Sequence, residues 1–188
     1  MKLGVFGGTF NPPHNGHLIV LTTVREELGL DRVLLVPCAI PPHKPHESVP
    51  DGKDRLAMLS LAIQEDEGLA ASAIELKRGG VSYTVDTLEE LRHIHPEASL
   101  FLIIGMDNVT EFHTWKEPAR IRSMATVVAM TRPGYPAGDA MAGVRSCPVP
   151  MIDISSTMIR ERVKQNRSIR YLVPPGVEEY IARRGLYR

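Results

Sequence analysis

The sequence predicts an open, doubly wound α/β sheet with a small helical part at its C-terminus. Short apolar runs alternate with amphipathic stretches along the chain, and glycine, proline or polar residues bound each run. Strand, helix and strand in regular order favour a parallel sheet joined by right-handed crossovers. In such a sheet, ligands bind beyond the carboxyl ends of the strands.

Four apolar runs are predicted to be strands of this sheet. They are short and mostly uncharged, as expected for parallel strands that are buried on both faces. Their sequences are LGVF at 3–6, VLLV at 33–36, LFLII at 100–104 and TVVAM at 126–130. The segment 133–148, which contains PGYPAGDAMAGV, is predicted to be a flexible excursion after the last of them.

Three stretches between the runs carry apolar residues three and four positions apart, which places these residues on one face of a helix. The predicted helices span 16–28, 54–64 and 84–94. A further helix near the C-terminus has Pro174 or Pro175 at its start and Gly185 as its cap. Residues 37–50 hold five prolines, so we expect an extended, stiff loop there.

The composition excludes several classes of partner. Lysine plus arginine equal aspartate plus glutamate, at 22 each in 188 residues, so no long-range field attracts nucleic acid, membrane or acidic polymers. Only two cysteines are present, the opening MKLGVFGG lacks the apolar core of a signal peptide, and no apolar run is long enough to span a membrane. We expect a soluble cytoplasmic protein in which 1–188 form one domain, with a core over about 1–152 and a C-terminal part over about 153–188.

The stretch FGGTFNPPHNGH at 6–17 is the first candidate site. Gly7 and Gly8 allow the backbone to approach a ligand closely, and Gly16 opens a helix whose unpaired N–H groups favour an anion. His14 and His17 lie three positions apart, so they can point the same way and donate N–H groups to phosphate oxygens. No GxGxxG or P-loop motif is present. We therefore predict a phosphate site of another kind.

GGTFNPPHNGH resembles the GG-T-F-x-P-x-H-x-G-H signature of the nucleotidylyltransferase superfamily. The stretch ISSTMIR at 154–160 is similar to the second signature of the same superfamily, I-S-S-T-x-I-R, and lies near the C-terminus as it does there. Two such motifs in the right order are far more specific than either alone, and the resemblance spans essentially the whole chain. It implies a Rossmann-like fold.

The segments between the two motifs resemble one branch, the bacterial nicotinate mononucleotide adenylyltransferases. They are PPHK at 41–44, GVSYTVDTL at 80–88, GMD at 105–107 and Trp115. That family transfers AMP from ATP to nicotinate mononucleotide, giving nicotinic acid adenine dinucleotide and pyrophosphate in NAD biosynthesis. Two alternatives remain open: adenylyl or cytidylyl transfer to another acceptor, such as phosphopantetheine or nicotinamide mononucleotide, and a catalytically idle nucleotide-binding regulator.

The resemblance implies a set of site residues. His14, His17 and Arg160 would be catalytic. The implied ATP-binding residues are Gly7, Gly8, Thr9, Phe10, His14, His17, Gly105, Asp107, Ser156, Thr157 and Arg160. Those implied for nicotinate mononucleotide are Lys44, Thr84, Asp107 and Trp115.

Within this set, Trp115 would stack on the pyridine ring, Thr84 would lie near its carboxylate and Asp107 would bind a ribose hydroxyl. The sequence departs from the family's usual pattern at two positions, one before the PPHK segment and one directly after Trp115. Cys38 and Lys116 stand where asparagine and tyrosine are common. Each departure affects one expected substrate contact.

The chemistry explains why such residues are needed. The second pKa of a phosphate monoester is about 6, so the attacking group is already largely a dianion and requires no general base. Two like charges 4 Å apart repel by about 4 kcal/mol at an effective dielectric constant of 20, so catalysis depends on positioning and fixed positive potential. We expect Mg²⁺ to be held by the ATP phosphates and water, without a protein cage. The chain is expected to act as a monomer or homo-oligomer.

Simpler interpretations exist for several of these residues. In the phosphate hypothesis, Ser156 and Thr157 form a helix cap whose hydroxyl and N–H groups hold the β- and γ-phosphates. A lone tryptophan such as Trp115 more often packs in a core, however, and the run Ser155-Ser156-Thr157 could merely cap a helix. Two HxxH pairs, at 14–17 and 43–46, together with Cys38 could bind zinc. The three remaining histidines are interpreted as ordinary surface residues: His93, His95 and His113.

Overall fold

A computed structural model describes residues 1–40, 49–131 and 143–188 of the chain. These residues form a six-stranded sheet, parallel throughout, with the strand order β3-β2-β1-β4-β5-β6. The strands are β1 (Lys2–Gly8), β2 (Arg32–Pro37), β3 (Leu69–Ala71), β4 (Ser99–Gly105), β5 (Ala125–Thr131) and β6 (Arg145–Pro148). This order is that of a Rossmann-like fold, and it reverses direction between β1 and β4.

Eight helices connect and flank the strands in the described residues. They are α1 (Asn15–Leu28), α2 (Gly52–Ala62), α3 (Ile74–Arg78), α4 (Thr84–Ile94), α5 (Met106–Glu111), α6 (Pro118–Met124), α7 (Ser156–Lys164) and α8 (Pro175–Arg184). A short 3₁₀ helix, Phe112–Thr114, follows α5. Among the residues described, none of these helices combines the length and the apolar character that crossing a bilayer requires.

Apolar side chains cover both faces of the sheet. Leu88 of α4 and Ile121 of α6 are fully buried against one face, and Leu21 of α1 and Leu59 of α2 are fully buried against the other. The central strands are therefore covered on both sides, as their continuous apolar runs predict. The doubly wound arrangement is confirmed.

The C-terminal part has an apolar cluster of its own. Ile159 of α7 and Val177 of α8 pack there with Met58, which α2 contributes from the sheet side. Next to it, the buried carboxylate of Asp54 accepts hydrogen bonds from the Tyr180 hydroxyl at 2.7 Å and from Arg184 Nε at 3.2 Å. Helix α8 is thus fastened to α2, the helix that precedes β3.

The four predicted strands and the predicted helices are all present, and their observed ends differ from the predicted ends by at most two residues. The predicted excursion at 133–148 is wrong over its last part, because 145–148 form β6. Cys147 of this strand is 1% exposed and its backbone pairs with Met130 of β5, so the segment extends the sheet. Most of the proline-rich segment, 41–48, and the first part of the excursion, up to 142, lie outside the described residues.

Candidate active site

A cavity of about 470 Å³ opens at the carboxyl ends of the central strands. Its walls come from the ends of β1, β2 and β4, from the start of α4 and from the segment around Trp115. This is the edge at which the strand order reverses, where open α/β sheets bind their ligands. The volume is within the range of small-molecule sites.

The loop after β1 forms one wall of the cavity. Gly7, Gly8 and Thr9 line it, and a Cβ atom added to Gly7 would meet no protein atom within 4 Å. A larger residue at this position would project into open space that the glycine leaves free. Phe10 closes the loop from behind: it is 3% exposed, and its ring centroid lies 5.4 Å from that of His17.

His14 and His17 stack at the start of α1, with ring centroids 3.7 Å apart and planes inclined by 22°. The three-residue spacing therefore does bring both rings to one side. The backbone N–H of His14 donates to Nδ1 of His17 at 3.2 Å. Since Nδ1 accepts this bond, the proton of the neutral His17 ring lies on Nε2, which is left as a donor.

Both histidines are neutral at neutral pH. Burial lowers the pKa of His14 from 6.5 to about 4. Burial and, to a smaller extent, the charge of His14 lower the pKa of His17 from 6.5 to about 3. The pair thus offers N–H groups to an anion without carrying a fixed positive charge in the folded protein.

The start of α7 is hydrogen-bonded to the first loop, although 144 to 149 positions separate the residues involved. The Ser156 hydroxyl donates to the carbonyl oxygen of Pro12 at 2.8 Å. Arg160 Nη1 donates to the carbonyl oxygen of Asn11 at 2.9 Å. The two motifs at opposite ends of the chain therefore form one continuous surface.

The cap of α7 lies one residue earlier than predicted. The Ser155 hydroxyl oxygen accepts a hydrogen bond from the backbone N–H of Met158 at 3.1 Å, which satisfies an unpaired donor of the first turn. Ser156 therefore does not cap the helix but bonds to the first loop. Thr157 does not cap it either, and its hydroxyl accepts from Arg160 Nη2 at 3.3 Å.

Buried polar atoms without hydrogen-bond partners gather at this surface. Within the described residues they include Asn11 Oδ1, His14 Nδ1 and the Tyr187 hydroxyl. Burial raises the pKa of Tyr187, while the nearby charges of Arg160 and Arg55 act in the opposite direction. Such unpaired atoms are costly in a folded protein, so their grouping is typical of a binding site.

Trp115 and Thr84 lie on the other side of the cavity. Thr84 is the first residue of α4, where backbone N–H groups have no partner within the helix. The ammonium group of Lys116 pairs with Asp86 of α4 at 3.0 Å and lies 4.7 Å from the ring centroid of Tyr83. These contacts fasten the segment that follows the tryptophan to the start of α4.

Behind this wall lies a hydrogen-bond network that the sequence did not reveal. Thr87 Oγ1 donates to the buried Glu75 carboxylate at 2.6 Å and accepts from Arg78 Nη2 at 2.8 Å. Ser82, whose hydroxyl acts to lower the pKa of Glu75, accepts a hydrogen bond from the Ala39 backbone N–H at 2.9 Å. Burial raises the pKa of Glu75. The network connects α3 and α4 with the end of β2.

Five residues of the predicted set line the cavity: Gly7, Gly8, Thr9, Thr84 and Trp115. The others that the structure describes do not: Phe10, His14 and His17 belong to the first loop and the start of α1, Ser156, Thr157 and Arg160 belong to α7, and Gly105 and Asp107 lie at the start of α5. Gly105 is the cap residue of α5 and Asp107 is exposed in its first turn, while Asn108 of the same helix does line the cavity. Lys44 lies outside the described residues, as do His43 and His46 of the second HxxH pair.

The zinc interpretation gains no support from the residues that the structure describes. They contain no group of three or more histidine, cysteine or acidic side chains that could hold a metal ion. The Cys38 sulfur faces the Thr9 hydroxyl at 3.8 Å and Arg55 at 3.9 Å, and burial raises the pKa of this thiol. Cys38 lines the cavity as a neutral side chain.

Besides the network around Glu75, the sequence did not reveal the role of Arg55. It is 3% exposed and belongs to α2, within a stretch read only for its apolar spacing. One signal could have revealed it. Arg55 lies four positions before Leu59 and hence on the apolar face of the helix, where a charged side chain needs hydrogen-bond partners.

Residues 5–162 match the family model described as cytidylyltransferase-like. The chain is 48% identical over its full length to a Thermus thermophilus protein named "Probable nicotinate-nucleotide adenylyltransferase", all of which it covers. It is 45% identical to a Streptococcus mutans protein of the same name, covering 100% of this chain and 89% of the relative.

A similar fold is found in the solved structure of the Plasmodium falciparum nicotinic acid mononucleotide adenylyltransferase complexed with NaAD. The TM-score is 0.80 at 17% identity, over 99% of this chain and 97% of the other. At this identity the comparison bears on the fold, and it agrees with the strand order described above.

Proposed function

The chain belongs to the cytidylyltransferase-like family of nucleotidyltransferases, and on this premise we infer that it transfers AMP from ATP to nicotinate mononucleotide. The products are nicotinic acid adenine dinucleotide and pyrophosphate, which makes the protein an enzyme of NAD biosynthesis. One structural observation carries the proposal for the site. The start of α7 bonds directly to the histidine-bearing loop, so both motifs of the family meet at one place.

We propose that the ATP phosphates lie between the first loop and α7. His14 and His17 would donate N–H groups to them, with His17 Nε2–H directed at the α-phosphate. Thr157 would offer its hydroxyl and backbone N–H groups to the β- and γ-phosphates, and Ser156 its backbone N–H group, because the Ser156 hydroxyl already donates to Pro12. Arg160 retains further N–H donors after its bond to Asn11 and, as a permanently charged fork, suits the departing pyrophosphate.

In the reaction, an oxygen of the nicotinate mononucleotide phosphate forms a bond to the α-phosphorus of ATP. The bond between that phosphorus and the oxygen bridging to the β-phosphate breaks, and the electron pair leaves with pyrophosphate. No proton has to be removed from the attacking dianion. The protein therefore contributes positioning and stabilisation of the charge that develops on the phosphates.

The chemistry of these side chains bears on how a metal ion would be coordinated. Imidazole N–H, hydroxyl and guanidinium groups are donors, so they bind phosphate oxygens and leave the coordination of a hard cation to phosphate and water. We propose Mg²⁺ as that cation. It would supply neutralisation of the polyphosphate charge when ATP binds.

We propose that the cavity holds the nicotinate mononucleotide. The flat face of Trp115 suits a heteroaromatic ring, and the free N–H groups at the start of α4, beside Thr84, suit a carboxylate. Together they favour nicotinate over nicotinamide. Asp107 is exposed at the start of α5 and remains our proposal for a ribose hydroxyl, as Lys44 does for the mononucleotide. Gly7, Gly8, Thr9, Phe10 and Gly105 complete the proposed ATP contacts.

The first test is pyrophosphate release from ATP and Mg²⁺ with three acceptors in parallel: nicotinate mononucleotide, nicotinamide mononucleotide and phosphopantetheine. We expect release with the nicotinate compound well above the other two. Release with another acceptor alone would overturn the assignment of Trp115 and Thr84. ATP binding without release would identify a nucleotide-binding regulator instead.

A second test addresses His17. Loss of a donor that acts on the developing charge costs typically about 10²- to 10³-fold in turnover, and we expect this loss in His17→Ala at saturating substrates. A loss below about tenfold would remove its role at the α-phosphate.

We further propose that the protein is cytoplasmic and acts as a monomer or homo-oligomer. Its partners would be small-molecule substrates, with neither nucleic acid nor membrane among them. Both cysteines are unpaired, which is typical of proteins in reducing compartments. Gel filtration with light scattering would establish the oligomeric state.

A further inference from the structure

The buried Arg55 connects three separate segments of the backbone. Its Nη1 donates to the carbonyl oxygen of Thr9 at 2.9 Å, its Nη2 to that of Cys38 at 2.7 Å, and its Nε to that of Pro50 at 3.1 Å. The Cys38 sulfur lies 3.9 Å from Nη1. All the hydrogen bonds that described residues accept from Arg55 therefore end on carbonyl oxygens or on sulfur.

Two of these segments are walls of the cavity. Thr9 belongs to the loop that follows β1, and Cys38 follows directly after β2; both line the cavity, whereas Arg55 does not. The backbone N–H of Cys38 donates to the carbonyl oxygen of Gly8 at 3.0 Å, which adds a direct bond between the two walls. Arg55 thus holds the two walls together from behind and does not itself line the cavity.

We propose that Arg55 is a positioning residue that fixes the spacing between the phosphate-binding loop and the mononucleotide side of the cavity. This proposal rests on the adenylyl transfer inferred above and goes beyond it, because Arg55 would act on catalysis without lining the cavity. A misplacement of about 1 Å between reacting groups can cost about 10²-fold in rate, so a residue that sets their separation affects catalysis without taking part in it.

The guanidinium group is the side chain that fits this task. Its donors lie in a fixed plane and point in different directions, so one group can reach three carbonyl oxygens that belong to three segments. Lysine carries the same charge on a single nitrogen and cannot reproduce that geometry. Arg55→Lys therefore separates the effect of the charge from the effect of the geometry.

The neighbouring residue provides a matched control. Asp54 is also buried in α2, but its partners are Tyr180 and Arg184 of α8, and it has no bond to either wall of the cavity. Asp54→Asn should lower the melting temperature while kcat and both KM values stay within about threefold of the parent enzyme. The Asp54→Asn variant therefore shows how a loss of stability in α2 alone affects kcat and KM.

We would measure kcat and KM for ATP and for nicotinate mononucleotide, together with calorimetric binding of each, in the parent enzyme, Arg55→Lys, Arg55→Met and Asp54→Asn. In Arg55→Lys we expect kcat/KM to fall about 10²-fold, with KM values and dissociation constants for both substrates raised by about tenfold. In Arg55→Met we expect kcat/KM to fall by at least as much as in Arg55→Lys. If Arg55→Met fails to fold, Arg55→Lys decides alone.

Values within about threefold of the parent enzyme in folded Arg55→Lys would overturn the proposal, because charge alone would then suffice. Equal kinetic losses in Asp54→Asn would also overturn it, since the effect would then be one of stability. A parent enzyme that releases no pyrophosphate would contradict the proposed function instead. In that case the binding constants still test Arg55, because they do not depend on turnover.

Discussion

The stacked histidines should make the folded protein sensitive to acid. In the unfolded chain, a histidine binds its proton near pH 6.5, whereas in the folded protein the pKa values of His14 and His17 are about 4 and about 3. At about pH 5 each ring is therefore protonated when unfolded and neutral when folded. One pKa unit corresponds to about 1.4 kcal/mol, so each histidine lowers the free energy of unfolding by at most about 2 kcal/mol at that pH.

The direction follows from proton uptake. Between pH 6.5 and about 4 the unfolded state binds more protons than the folded state at both histidines, so stability falls as the pH falls. Above pH 6.5 both states are neutral and this contribution vanishes. Between about pH 4 and about pH 3 only His17 adds a further loss of stability, and at lower pH the accumulated loss from both histidines stays constant.

The assay is equilibrium urea unfolding followed by circular dichroism, at about pH 7 and at about pH 5. His17→Asn removes one titrating ring, so its free energy of unfolding should fall by about 2 kcal/mol less than that of the parent protein between the two conditions. His93→Asn is the control, because His93 is exposed and lies outside the site. A His17→Asn variant whose stability falls as steeply as that of the parent protein would refute the reasoning.

Three further predictions concern the side of the cavity that carries Trp115, the hydrophobic core and the two cysteine thiols. Trp115→Ala should weaken nicotinate mononucleotide binding by about 5- to 150-fold, since stacking on an aromatic side chain contributes about 1–3 kcal/mol; unchanged affinity in calorimetry would remove the stacking role. Leu88→Ala, at a fully buried position, should lower the free energy of unfolding by about 2–5 kcal/mol in urea, and a smaller loss would contradict its place in the core. Burial raises the pKa of the Cys38 and Cys147 thiols, so a disulfide reagent should label both slowly in the folded protein and rapidly in guanidinium; fast labelling of the native protein would show that they are accessible.

The sequence was sufficient to predict the central part of the fold. Short apolar runs such as 100–104 are typical of strands covered on both faces, and the helix at 84–94 has the predicted ends because its spacing is regular. The outer strands were missed for a physical reason. β3 is three residues long, and β6 lies beside glycine- and proline-rich sequence, so neither provides enough pattern to be recognised.

The candidate site was predicted where residues form a local motif and missed where they do not. His14 and His17 belong to one short stretch, whereas Arg55 and Glu75 come from unremarkable helices and acquire partners only through the tertiary fold. Ser156 shows a third case. Its position was predicted, but its hydroxyl bonds to Pro12 instead of capping α7, because Ser155 already occupies the capping position.

The bonds from Ser156 and Arg160 to the first loop also affect how the protein folds while the ribosome synthesises it. The loop is synthesised first and its partners follow 144 to 149 positions later. At about 5–20 residues per second, the nascent chain waits roughly 7–30 s before those partners are even made. During that interval the sheet can begin to form while the surface that joins the first loop to α7 remains incomplete, so the growing chain should acquire the proposed affinity for ATP only once α7 has been made.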